Sequence, residues 1–304
     1  MTADVAGPER VDPANARARG FAAPMHSLET RFAAAVLRAH LVAIDTMRPV
    51  IRAGRPPRDA ADAALRALYP ALVLIGREHF PRIAREGWTQ GNARLRAAAR
   101  HAVRPRTPAT ARAALPTSST SVVGVAFDRA WPELAAYLDA RPVEYASAAS
   151  ATSVDKFLAI LVEGAGLEIA AIVRQILGDQ LPGVSRGRAT TIARTEVLAA
   201  GNTAAQASYV ASGVVTRHRW LSTRDTRTRE SHRTERWPAG TTVVPLTKPF
   251  VLPSKARLMH PGDTSLGAPL AEIINCRCSV APDVSLPGIP DYVPIGQRSG
   301  GHGD

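Results

Sequence analysis

RATTIARTEVLAAGNTAAQASYVASG (residues 188–213), HRWLSTRDTRTRESH (218–232), LMHPGD (258–263) and INCRC (274–278) are the segments that decide the fold. The first is built almost wholly of small residues around Arg194, Glu196 and Asn202, and it stops at Gly213, a residue suited to a left-handed helix terminus. The composition then changes. VVTRHRWLST carries the β-branched and aromatic residues of a strand. Further short extended candidates follow near 242–246, 250–252 and 276–280, with turn residues between them. A helix packed on a small antiparallel sheet is the expected outcome.

Upstream the pattern is helical. Phe32, Val36, Leu37, Leu41 and Ile44 recur at three- and four-residue spacing, predicting a helix from Ser27 to Pro49 or Gly54. A second helix is expected from residue 58 with Leu65, Leu68, Leu72 and Ile75 on one face, kinked or broken at Pro70. ARLRAAARHAV (93–103) reads as a third. FDRAWPELAAYLDARP (127–142) suggests a short helix broken at Pro132, and SVDKFLAILVEGAGLEIAAIVRQIL (153–177) a longer one. The polar GDQLPGVSRG (178–187) reads as a tight loop.

The expected fold class is therefore α+β: a mainly helical N-terminal part, then a C-terminal domain of helices on a small antiparallel sheet. The expected boundaries are a flexible arm over 1–24, a basic helical region over 25–115, a linker and short helix over 116–152, a C-terminal domain over 153–282 and an extended tail over 283–304. Prolines and a Ser/Thr cluster in 104–125 mark the main division.

Charge is uneven. The chain carries +12, and only Lys156, Lys248 and Lys255 among its 38 basic residues are lysines. Residues 25–115 hold sixteen arginines against six acids, whereas the remainder is nearly balanced. Such an excess suits polyanion contact, with Arg94, Arg96, Arg100, Arg104 and Arg106 as candidate contacts for DNA phosphates or an acidic partner. A high-GC genome that favours arginine and alanine accounts for the same composition. Few aromatics interleave with these arginines, so base stacking is not indicated. No run reaches the ~18 apolar residues of a membrane span, and the N-terminal residues lack the apolar core of a secretory signal. Cys276 and Cys278 are too few for a disulfide framework and too close for an unstrained bridge, which fits a reducing compartment.

The ordered set RATTIARTE, Asn202, RWLSTRDTRTRESH, a Pro-Gly-Asp turn and INCRC resembles the head morphogenesis domain of tailed bacteriophages, the minor head proteins of the phage Mu F type. The match covers residues 155–282. Arg194, Glu196, Asn202, Asp225, Arg227, His232, Asn275, Cys276, Arg277 and Cys278 carry it. The resemblance implies a non-enzymatic virion protein at the portal vertex, assembled in the host cytoplasm with portal and capsid proteins as partners and packaged double-stranded DNA as a non-specific one. Many members show Cys-x-x-Cys after the Asp-x-Arg-Thr turn. Here Arg229 and His232 occupy those places, and His260-Pro261 stands well ahead of the cysteines, so a four-cysteine zinc knot is not reproduced.

The residues allow other readings. His232, His260, Cys276 and Cys278 are a donor set that tetrahedral zinc accepts; alternatively the two cysteines share one face of a strand and line a small core, with no cofactor. Arg194, Glu196 and His232 could serve a nuclease or transferase as acid-base groups. Against that stands a structural role, with a buried Arg/Glu pair and an Asp225–Thr228 turn.

Overall fold

The computed structural model describes residues 13–103, 127, 132–164 and 166–284. Helix α1 spans Pro13–Arg52, α2 Pro57–Val103 and α3 Pro132–Glu163; a short α4, Ile169–Ala171, runs through a π-helical segment, Ile172–Gln180, into α5, Leu181–Ser212. Strand β1, Val215–Leu221, lies between β2, Val243–Pro245, and β5, Ser279–Val284, antiparallel to both; β3, Phe250–Val251, and β4, Arg257–Leu258, form a separate hairpin. A single turn, α6, Leu270–Ile273, precedes the cysteines. The α+β class is as expected.

Helix α1 buries Phe32, Val36, Ala43 and Met47, the four-residue rhythm of one face. Each such burial of a large apolar side chain contributes about 1.5–3 kcal/mol. His40 falls in the same stripe and is accommodated because its ring nitrogens meet the Val36 carbonyl at 2.8 Å and Ser153 Oγ at 3.0 Å.

Several boundaries differ from expectation. Helix α1 starts at Pro13, so residue 24 marks no break. Pro70 and Pro81 do not divide α2: both lie on its exposed face, where the carbonyl that loses its N–H partner faces solvent rather than core. The segment 93–103 is the end of that same helix. Pro132 begins α3 instead of breaking a helix, as suits a residue with no N–H to satisfy. The 153–177 segment is divided after Glu163. The expected loop at 178–187 is helical: Leu181 N–H reaches the Ile176 carbonyl, a widened turn that carries the chain past Pro182 while Ile176, Leu177 and Leu181 stay buried. Gly213 does end α5, at φ 66°. The tail beyond 284 and most of 104–131 lie outside the described residues.

One apolar cluster draws Phe32, Leu72, Phe157, Leu177, Ala200, Trp220 and Val280 together, so residues on both sides of 104–131 share a core. Helices α2 and α5 meet through glycine. A Cβ on Gly87 would stand 2.4 Å from the Gly201 carbonyl oxygen, and one on Gly91 would stand 2.9 Å from Ala205 Cα. The small-residue composition of 188–213 is thus explained by a backbone-to-backbone crossing that larger side chains would block.

Candidate metal centre and arginine-lined cleft

The motif residues sit where α5, the turn after β1 and the approach to β5 converge. Asn202, fully buried, donates to the carbonyls of Pro261 at 3.0 Å and Cys278 at 3.2 Å, and its Oδ1 accepts from Val280 N–H at 3.3 Å. One amide therefore ties α5 to the 260–263 turn and to β5. Asp225 closes its turn by accepting from Arg227 N–H and Thr228 Oγ1, both at 3.0 Å, and Arg277 adds a contact at 3.1 Å. Burial pushes the Asp225 carboxyl up, but Thr228, Arg277 and Arg227 together hold it below its ordinary value. Thr223 Oγ1 donates to the Arg277 carbonyl at 2.7 Å, and Asn275, at φ 59°, presents its N–H to Thr195 Oγ1 at 3.0 Å.

Arg194 and Glu196 do not pair with each other. Two residues apart on a helix, they point to different sides. Arg194 meets Glu29 of α1 at 3.1 Å, and Glu196 is gripped by Arg141 of α3. Burial raises the Glu196 carboxyl's pKa, and the Arg141 fork opposes that rise. Neither Arg141 nor Glu29 carried any sequence signal, since each is 55 or more residues from its partner.

His232, Cys276 and Cys278 come together, all buried, with one ligand atom from each within 4.8 Å of the others. His232 Nδ1 is 3.5 Å from Cys276 Sγ and 3.7 Å from Cys278 Sγ. Two ligands on one tetrahedral zinc, at bond lengths of ~2.3 Å to sulfur and ~2.05 Å to nitrogen, lie about 3.6 Å apart. The two histidine-to-cysteine spacings match that value. On the other side of the ring, Nε2 lies 3.0 Å from the Glu272 carboxylate, which Ser231 Oγ steadies at 2.7 Å. A carboxylate behind the imidazole is the placement from which a ligating histidine's orientation is fixed, although here Nε2 and the carboxylate are close without being aligned as a hydrogen bond. Glu272, four residues before Cys276, carries no signal of that role in the sequence. The thiols differ: the hydrogen bond between them holds Cys278 well below the ordinary thiol range and, with burial, pushes Cys276 well above it. The cysteines precede β5 rather than lying in it, because that strand starts at Ser279.

His260 is not part of this set. The 260–263 turn packs on α5, with Gly262 against Ala199, and His260 Nε2 is committed to Thr203 Oγ1 at 3.2 Å. Among the described residues the cluster stops at three ligands.

Beside the thiols a cleft of about 260 Å³ is lined by Arg194, Arg227, Arg229, Asn275 and Arg277. It shares Arg227, Arg229, Asn275 and Arg277 with a much smaller recess that reaches His232 and both cysteines. Burial and the facing Arg227 and Arg194 lower the Arg277 pKa, and Asp225 opposes them.

No family model, curated protein or solved structure matches the chain.

The N-terminal basic run is arranged differently from expectation. Arg94 turns inward: its guanidinium donates to the Val280 carbonyl and to Ser279 Oγ, joining α2 to β5. That reach is built into the fold and is closed to a phosphate. Arg96 is exposed on α2, whereas the Arg100 side chain, Arg104 and Arg106 lie outside the described residues.

Proposed function

We propose that this chain is a minor structural protein of a tailed-phage or prophage-derived head, acting at the portal vertex in head assembly, with portal and capsid proteins as partners and packaged DNA as a non-specific one. The observation that supports it most is the use made of the motif residues. Asn202, Asp225, Asn275 and Arg277 fasten segments of the chain to one another, as a framework domain of that type requires. Arg194, Glu196 and His232, the groups of the nuclease or transferase reading, are paired with Glu29, Arg141 and Glu272 respectively, which supports a bracing role for them. Among the described residues no helix is long and apolar enough to cross a membrane. Within this reading, zinc held by His232, Cys276 and Cys278 is a further fastener between the 230–232 turn and the approach to β5.

The test is incorporation. In a host producing heads from the surrounding gene set, the chain should co-purify with portal-bearing particles, and its removal should lower the yield of heads that package or eject DNA. Particles free of the chain, with unchanged yield when it is deleted, would overturn the proposal.

A further inference from the structure

We propose that Arg194, Arg227, Arg229 and Arg277 form a phosphate-binding site. Three separate parts of the chain supply these side chains: α5, the turn after β1, and the residue between the two cysteines. All four border one cleft of about 260 Å³, together with Asn275, and among the described residues no carboxylate lines it. The acids that touch these arginines lie behind or beside the wall. Glu29 meets Arg194 at 3.1 Å, and Asp225 meets Arg277 at 3.1 Å and Arg227 at 3.6 Å. Glu272 is within electrostatic reach of Arg229 but is turned to His232 and Ser231.

These acids position the forks and leave donors over. A guanidinium carries five N–H groups in a fixed plane, and each of these pairings uses one or two of them. Arg229 is anchored on the Ile274 carbonyl, and Arg277 has its own carbonyl held by Thr223 and its side chain held by Asp225. Arg194, Arg229 and Arg277 are thus oriented before any ligand arrives, so for these three little side-chain freedom remains to be lost on binding, while the more exposed Arg227 closes on the ligand from the turn. Several planar donors converging on one space match the multiple oxygens of a phosphate, which accepts bidentate pairs from more than one arginine. The ligand is a phosphate of a nucleic-acid backbone or of a free phosphorylated compound; both present the same oxyanion. This site lies within the motif region, not in the basic N-terminal run, and it stands independently of the head-assembly reading.

Binding of pyrophosphate and of a short DNA duplex by the full chain tests it, with calorimetry for the first and fluorescence anisotropy over a salt series for the second. The double variant R227Q/R229Q should weaken the bound probe by about tenfold per arginine. For the duplex it should also flatten the salt dependence by ~0.9 in log–log slope for each phosphate that is no longer neutralised. R66Q, on the exposed face of α2, removes a charge away from the cleft and should leave affinity nearly unchanged. Competition between duplex and pyrophosphate assigns the site to a nucleic-acid backbone; pyrophosphate binding with no duplex binding assigns it to a free phosphate compound. Either supports the proposal. Failure of the wild-type chain to bind either probe, duplex binding that pyrophosphate does not displace, or a double variant that melts and binds like wild type, overturns it. Neither result would affect the particle-incorporation test.

Discussion

Arg141 on α3 holds Glu196 on α5 with both sides of its fork, Nε at 2.9 Å from one carboxylate oxygen and Nη2 at 2.8 Å from the other. Both side chains are nearly buried. Removing one partner strands the other's charge away from water, so Glu196→Ala should lower the unfolding free energy by about 3 kcal/mol, whereas R141M/E196L should recover most of the loss. Chemical denaturation of the two variants measures this. A single variant within ~0.5 kcal/mol of wild type would show that the pair does not brace the two helices.

The glycine crossing makes a paired prediction. Gly87→Ala places a Cβ against the backbone of Gly201, where no side chain can rotate away, and should cost about 3 kcal/mol as α2 and α5 separate. Gly187→Ala lies on the exposed surface of α5 with nothing within 4 Å of its new Cβ, and should stabilise by up to ~1 kcal/mol through helix propensity. Thermal melts should move in opposite directions.

Acid should act partly through His218. This ring is buried against Phe250, its Nε2 bonded to the Lys248 carbonyl at 3.1 Å, and burial lowers its pKa from 6.5 to about 4. Between those values the unfolded chain binds the proton and the folded chain does not. Its contribution is therefore complete above pH 6.5 and is lost as the pH falls toward 4, by roughly 3 kcal/mol in all. Burial lowers His40 and His260 in the same direction. The experiment is denaturation between pH 7 and 4 in chelator. His218→Gln should flatten the wild-type slope, and an unchanged slope would count against this origin.

Metal analysis of the purified chain should find about one zinc, with cobalt substitution giving thiolate charge-transfer absorption. Cys276→Ser and Cys278→Ser should each abolish it. His260→Ala should not, because His260 belongs to the α5 contact. Loss of metal in the His260 variant, or none in wild type, would refute the three-ligand assignment.

The fold class was legible because helical spacing around Phe32 and Val36 and β-branched content after Gly213 are local signals. The uninterrupted course of α2 was not legible, because a proline's effect depends on which face it occupies, and Pro70 lies outward. The helical run through Pro182 was hidden for a related reason: a π turn has no composition of its own. At the site, the cysteines and His232 stand out as ligand types. Glu272, Arg141 and Glu29 do not, since a carboxylate or guanidinium acquires its role only from a partner that folding brings near. His260 misled because a donor type suited to zinc says nothing of where the fold puts it, and the 260–263 turn packs on α5.

The inward turn of Arg94 bears on the order of assembly during synthesis. It reaches acceptors at Ser279 and Val280, some 186 positions later in the chain. Asn202 waits on the same segment, and β1 lacks its longer neighbour until β5 has formed. Helices α1, α2 and α5 can gather on the ribosome, yet closure must await residues near 280, and contacts so remote in sequence form slowly. The nascent helical bundle thus keeps an open seam along α5 while residues 213–278 are made, and β5 is the segment whose arrival closes it.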